Sequence, residues 1–409
     1  MNNTFNNIRY YLKEVQKIDR LSSKEVQLLS HPQRVKKTIL RVQGKAYPAW
    51  RVLFNDALGP GKGGIRFHPQ ANQDEVTSLS FWMTIKNALV EIPYGGAKGA
   101  VKFNPKKTSL KTQEIISRKF IDFFYPVLGQ DKDIPAPDVY TNSQTMAWML
   151  DEYEKKTGHH EPAMITGKPL ILGGLKLRAD ATAKGGFFII QEIIKTYRLP
   201  KSHLKIAMQG FGNAGANLAQ MLNQNHFKIV AVSDSQGGIY DKNGLDIVAV
   251  GKTKKEKGSV VNYSKGQPIS NQKILELPVD ILILAALENQ ITEKNVGKIN
   301  ASYIVEVANG PVTYSAEKQL FSKNITVVPD VLVNSGGVIV SYFEWCQNKT
   351  GNILAEDYLA KLLKEKMINN WIRVLSLQKE HHQKISLKTA AYLLAIRRIL
   401  TAEKLRGKI

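Results

Sequence analysis

Gln209-Gly210-Phe211-Gly212-Asn213-Ala214-Gly215 decides how the second half of this chain folds. The apolar run at 205–208 precedes it and a helical pattern follows, which is the context a G-x-G-x-x-G spacing needs before it carries meaning. Gly210 permits a tight turn, Gly212 lets backbone approach a pyrophosphate, and Gly215 allows close helix-to-strand packing, while helix-terminal amides face the anion. The next apolar run, 228–232, ends in Ser233-Asp234-Ser235, 24 positions after Gly210. A carboxylate there accepts hydrogen bonds from a ribose 2′-hydroxyl and repels a 2′-phosphate, so NAD is expected. Ser233, Ser235 and Lys242 nearby could offset that repulsion, which keeps NADP as the alternative.

Working outward, further runs at 279–284, 303–307 and 325–328 are short, rich in Ile and Val, and separated by crossover-length segments. They predict strands buried on both faces of a parallel sheet, hence an α/β chain with a Rossmann-like, doubly wound domain. Before residue 170 the pattern is α+β: strands at 36–42 and 50–54, and helices at 73–90, 110–125 and 142–157. Ser22-Ser23-Lys24-Glu25 reads as a capping box. After Asp330 three helical patterns follow, 334–347, 355–377 and 387–405. The expected division is 1–170, 171–350 and 351–409, with the last helices returning to the first domain and a hinged cleft between the domains.

The 409 residues are 43% hydrophobic and 22% charged, which excludes disorder and collagen-like repetition. A net charge of +22 first points to nucleic acid or an anionic surface. No basic stripe interleaved with aromatics supports that, and the run at 252–257 reads as a solvated loop, so no nucleic-acid partner is expected. Cys346, the lone cysteine, reads as a small buried hydrophobe, and no metal is expected. No apolar stretch is long enough to span a membrane and no leader pattern opens the chain, so a cytoplasmic address is expected.

Three lysines stand in glycine-bearing or helical surroundings: Lys62 in Gly59-Pro60-Gly61-Lys62-Gly63-Gly64, Lys86 in Met83-Thr84-Ile85-Lys86, and Lys98 in Gly95-Gly96-Ala97-Lys98-Gly99. Any one of them alone reads as a solvated surface group. Together they suit a dianionic small substrate, because clustered ammonium groups bind carboxylates and depress one another's pKa, as desolvation also does. A lysine perturbed in this way acts as a base near neutral pH. Asp138 supplies a carboxylate on a stretch that Pro135 and Pro137 hold extended; by spacing alone it reads first as an N-cap for a helix starting near Thr141, and a proton-moving role needs other evidence.

These segments together resemble the Glu/Leu/Phe/Val dehydrogenase superfamily, its glutamate-specific members above all. The resemblance runs from about Arg51 to Gln347 through GPGKGGIRFHP (59–69), MTIKNAL (83–89), IPYGGAKGAV (92–101), IPAPDVYTN (134–142), GFGNAG (210–215), SDSQGGIYD (233–241), ANGPVT (308–313) and NSGGVIVSYFEW (334–345). It implies reversible NAD(P)-dependent oxidative deamination, with Lys98 activating water, Asp138 moving protons at the substrate nitrogen and Lys86 holding the α-carboxylate. Lys62 with Ser341 would pair a γ-carboxylate, and Asn334 would lie near the substrate. Coenzyme contacts are expected at Thr182, Gly210, Phe211, Gly212, Asn213, Ala214, Gly215, Asp234, Asn289 and Asn309. The resemblance also implies a homo-oligomer, most often a hexamer. Leu175, Leu177 and Ala183 depart from the family's small or polar residues, so a weakly active coenzyme-binding homologue stays open, as does, within the family, a leucine, valine or phenylalanine dehydrogenase.

Overall fold

A computed structural model describes residues 3–409, with side chains from Arg9 onward. The chain divides into two compact units: residues up to 179 with 338–361 and 392–409, and residues 180–337 with 362–391.

In the first unit α1 (Asn3–Asp19) and α2 (Ser23–Ser30) precede β1 (Arg34–Val42), β2 (Lys45–Asn55), β3 (Gly61–Phe67), α3 (Gln73–Leu89), β4 (Gly96–Val101), α4 (Leu110–Phe124), β5 (Asp133–Pro137) and α5 (Ser143–Thr157). Ser22 and Glu25 form the expected capping box at the start of α2. The sheet order is β1-β2-β4-β3-β5, antiparallel from β1 to β4, with β3 parallel to both β4 and β5. Ile65, Phe67, Val101, Phe120, Phe124, Met146 and Met149 are sealed in its core. The glycine-bearing lysine segments and the proline-held stretch are thus sheet strands. Glycine's low strand propensity hid them: the sheet needs glycine here because a Cβ on Gly63 would stand 1.6 Å from the Ala97 carbonyl oxygen of β4.

The second unit runs α6 (Ala181–Tyr197), β6 (Lys205–Gln209), α7 (Asn213–Gln224), β7 (Lys228–Asp234), β8 (Gly237–Tyr240), α8 (Ile247–Lys257), β9 (Gln267–Ile269), β10 (Ile281–Leu284), β11 (Tyr303–Glu306), α9 (Tyr314–Ser322), β12 (Thr326–Val328) and α10 (Asp330–Val333). The order β12-β11-β10-β6-β7-β8-β9 contains the five expected parallel strands and two antiparallel strands, β8 and the edge strand β9, that the apolar runs did not reveal. The basic run at 252–257 is the end of α8 rather than a loop: Asp246 caps the helix start and Gly258 ends it in a left-handed turn.

Three helices complete the chain, α11 (Gly336–Thr350), α12 (Glu356–Glu380) and α13 (Leu387–Leu405). The unit boundaries differ from those expected at 170/171 and 350/351, because the ends of these helices bury against different cores. Tyr392 stacks on Tyr11 at 4.9 Å and accepts from Trp82 Nε1 at 2.9 Å in the first unit, while Trp371 Nε1 donates to Thr196 at 3.0 Å in the second. Cys346 is half-buried rather than sealed, and burial raises its thiol. Among the described residues no helix is long and apolar enough to cross a membrane.

Candidate active site

Lys98 lies on β4, in register with Val52 of β2, and Asp138 follows directly on β5. Their side chains meet: Lys98 Nζ stands 2.9 Å from Asp138 Oδ1. Asp138 does not cap α5, whose N-cap is Asn142, so its carboxylate is left for the site. Gly64 admits it, since a Cβ there would come within 2.7 Å of the Asp138 Cβ. Arg66, one strand turn beyond Gly64 on β3, donates from Nε to Asp138 Oδ2 at 2.8 Å and is itself paired with Glu75 of α3. Burial alone would raise Asp138, but Lys98 and Arg66 outweigh it and hold the carboxyl well below its ordinary range. Burial lowers Lys98, with Arg66 and Arg51 adding to the fall and Asp138 opposing it. The cations that depress Lys98 are therefore arginines, in place of the neighbouring lysines expected.

Lys62 lies on β3 opposite Ile134 of β5 and is only 1% exposed. Burial pushes it well below an ordinary lysine, and Arg178, Arg51 and Lys168 push the same way while Glu344 opposes. Arg51 is matched by Asp133, to which it donates from Nε at 3.1 Å. Glu344 accepts from Lys168 Nζ and from the Gly167 amide, both at 2.8 Å. Ser341, 1% exposed, precedes Glu344 by three residues on α11 and so shares its helix face. Lys86 is half-buried on α3, which lies so close to β4 that a Cβ on Gly96 would meet Thr84.

In the second unit the glycine loop has the geometry its spacing requires. Gly210 is left-handed at φ 99°, and a Cβ on Gly215 would stand 1.9 Å from the Gly210 carbonyl oxygen. Gly212 opens onto free space, and α7 begins there without a side-chain cap, at Asn213 and Ala214. A helix N-terminus beside an open approach fits a pyrophosphate. A second polar group gathers at the loop after β11. Asn289, at φ 55°, donates its amide to the Gly310 carbonyl at 2.9 Å, and Asn334 Nδ2 donates to Asn309 Oδ1 at 2.9 Å. The side-chain oxygens of Asn289 and Asn334 are buried without a hydrogen-bond partner, as fits acceptors awaiting a polar ligand. Asn334 is thus tied to Asn309. Thr182, half-buried, sits in the first turn of α6.

The match to known proteins follows this division. Residues 173–407 match the Glutamate/Leucine/Phenylalanine/Valine dehydrogenase profile, and residues 30–155 match the Glu/Leu/Phe/Val dehydrogenase dimerisation domain. The chain belongs to this dehydrogenase family. It is 45% identical to an NADP-specific glutamate dehydrogenase of Synechocystis, covering 89% of this chain and 86% of that protein. It is 41% identical to a catabolic NAD-specific glutamate dehydrogenase of Bacillus subtilis, covering 93% and 90%. Among solved structures it resembles the hetero-hexameric glutamate dehydrogenase of Thermus thermophilus in its leucine-bound form (TM-score 0.93, 29% identity, 99% and 97% covered). The glutamate dehydrogenase of Peptoniphilus asaccharolyticus aligns over both whole chains (TM-score 0.87, 34% identity).

As a member of the dehydrogenase family the chain is an oxidoreductase. Of the three departures from the family pattern, Leu177 and Ala183 are buried packing residues at 2% and 1% exposure, and Leu175 is half-buried. Arg66, Lys168, Arg178 and Glu344 escaped the sequence reading. Arg66 was within reach, since it stands inside GPGKGGIRFHP two residues beyond Gly64, on the strand face that alternation assigns. Glu344 had no local signal, because Lys168 is 176 positions away. A further buried network supports the asparagine loop. Gly310 N donates to Asp330 Oδ2 at 2.8 Å, Asp330 N to Glu306 Oε2 at 3.0 Å, and Lys388 Nζ to the same Glu306 oxygen at 2.8 Å.

Proposed function

We propose that this chain catalyses the reversible NAD(P)-dependent oxidative deamination of L-glutamate to 2-oxoglutarate and ammonia. The observation that carries the reading is the charge balance around Lys62. Arg178, Arg51 and Lys168 all oppose a charge on Lys62 and Glu344 alone favours it, while Asp133, the carboxylate on Arg51, is shared with Arg34. A γ-carboxylate brings the missing negative charge. A leucine side chain leaves Lys62 desolvated and unpaired, at a cost of about 2–5 kcal/mol.

Lys62, with Ser341 and Arg178, holds the γ-carboxylate, and Lys86 holds the α-carboxylate. Asp138, kept ionised by Lys98 and Arg66, accepts and returns a proton at the substrate nitrogen. Lys98, which burial biases toward its neutral amine, removes a proton from the water that attacks the imine carbon. The coenzyme supplies the hydride acceptor when bound; Gly210 to Gly215 would hold its pyrophosphate, Thr182, Asn289 and Asn309 would meet its nicotinamide end, and Asn334, bonded to Asn309, would lie near the substrate. The assembly fitting this reading is a homohexamer built through the first unit, where β1 is an edge strand with Ile39 57% exposed; sedimentation velocity measures it.

The test is a steady-state assay crossing NAD and NADP with glutamate, leucine, valine and phenylalanine. Glutamate should dominate. No oxidation of NADH or NADPH dependent on 2-oxoglutarate and ammonium would sink the reading.

A further inference from the structure

Asp234 closes β7 with its side chain 7% exposed, and the fold already fills its carboxylate. Oδ1 accepts from the Gln236 amide at 3.0 Å and from Ser259 Oγ at 2.9 Å. Oδ2 accepts from the Val260 amide at 2.9 Å and faces Lys254 Nζ at 3.2 Å. A carboxylate has about four acceptor positions, so an incoming ribose hydroxyl must displace a donor that is present. The three donors from 236, 259 and 260 are built into backbone turns. Lys254 is the exchangeable one.

Lys254 also reaches the glycine loop, donating to the Phe211 carbonyl oxygen at 2.7 Å, with its ammonium 5.8 Å from the centre of the Phe211 ring. Its side chain is 28% exposed. The ammonium therefore bridges the loop that receives the pyrophosphate and the carboxylate expected to receive the adenosine ribose. Two of the other groups expected to admit a 2′-phosphate are poorly placed. Lys242 lies beyond Tyr240, which pairs with Ala231, and the Asp241 amide bonds Val230, so the antiparallel register carries Lys242 to the opposite end of β7 from Asp234. Ser233 is fully buried, which leaves Ser235, exposed beside Asp234, as the one of these three within reach.

We propose that Lys254 reads the 2′ position of the coenzyme: its ammonium takes a 2′-phosphate, so that the chain binds NADP as well as NAD and Asp234 does not exclude the phosphate. This rests on the dehydrogenase reading above. Lys254 neutralises Asp234 in the free protein and stays at hand as the phosphate's counter-charge. A 2′-hydroxyl, in contrast, must compete with Lys254 for Asp234 Oδ2.

Isothermal titration of the purified full chain with NAD, NADP and 2′,5′-ADP tests this without turnover. The unaltered protein should bind all three. Lys254→Met should lower the NADP-to-NAD affinity ratio by about ten- to hundred-fold, the loss expected for one charge-assisted hydrogen bond, and should weaken 2′,5′-ADP alongside NADP. Lys254→Arg should keep most of the ratio, showing that charge at this position is what is read. Equal weakening of NAD and NADP in Lys254→Met would overturn the proposal, since Lys254 would then act only by holding the Phe211 loop. A protein that binds NAD but neither NADP nor 2′,5′-ADP would overturn it too. A protein that binds neither dinucleotide would remove the dehydrogenase reading itself.

Discussion

Replacing Arg66 by Gln removes one of the two cations on Asp138 and leaves Lys98 in place. The bond lost is a charge-assisted one at 2.8 Å, of the kind that contributes about 1.5–3 kcal/mol. At about 1.4 kcal/mol per pKa unit, Asp138 should rise by roughly one to two units. The direction follows from the balance at the site: burial raises Asp138, Lys98 and Arg66 hold it down, and losing one of them lets burial gain. Lys98 rises as well, because Arg66 is among the charges that depress it. On the proposed mechanism both groups act deprotonated; Asp138 stays ionised even after its rise, so it is the rise of Lys98 that moves the acid limb of the pH profile of kcat/KM for glutamate to higher pH. The assay is that profile for the unaltered enzyme, Arg66→Gln, Arg66→Lys and Glu75→Gln, with thermal unfolding run on each. Arg66→Lys should recover part of the shift, and Glu75→Gln should move the limb little, since Asp138 keeps both cations. An acid limb that stays in place in a folded Arg66→Gln protein would refute the reasoning.

Lys98→Ala should abolish turnover while NAD(P) binding measured by titration is retained; unchanged turnover would remove Lys98 from the mechanism. Lys62→Leu should lower kcat/KM for glutamate by about a hundred-fold relative to norvaline or leucine, on the scale of about 2–5 kcal/mol for a charge pair left incomplete. An equal loss for all substrates would mean that Lys62 does not meet the γ-carboxylate. Lys388→Met should destabilise the second unit by about 3–5 kcal/mol in equilibrium urea unfolding, because it leaves Glu306 and Asp330 buried without their shared cation. Adding Glu306→Gln should recover part of that loss, and an unchanged midpoint for Lys388→Met would show the network carries no weight.

Strands 205–209, 228–234, 281–284, 303–306 and 326–328 were legible because each is a short apolar run buried on both faces, a pattern that needs no partner to be recognised. Strands β3, β4 and β5 were not. Their glycines serve close approach between neighbouring strands and helices, so residues that weaken a strand in isolation are ones this sheet requires. The division of the C-terminal helices was equally out of reach, since a helical pattern reports that one face is buried and says nothing of which core receives it.

The sequence by itself determined the glycine loop and its helix, the order of strands and helices around it, the dehydrogenase family, and the presence of Lys62, Lys98 and Asp138 as charge-bearing candidates. The family rests on the ordered motifs this chain shares with known dehydrogenases, and the rest on spacing along the chain. Only the tertiary structure decided what those charges face. Arg66 reaches Asp138 across 72 positions, Glu344 reaches Lys168 across 176, and α8 brings Lys254 onto Asp234 while the register of β8 carries Lys242 away. Part of the +22 charge that first pointed to nucleic acid is thereby placed in two specific sites. Charge interactions act through space and strengthen with burial, and neither quantity exists until the chain has folded.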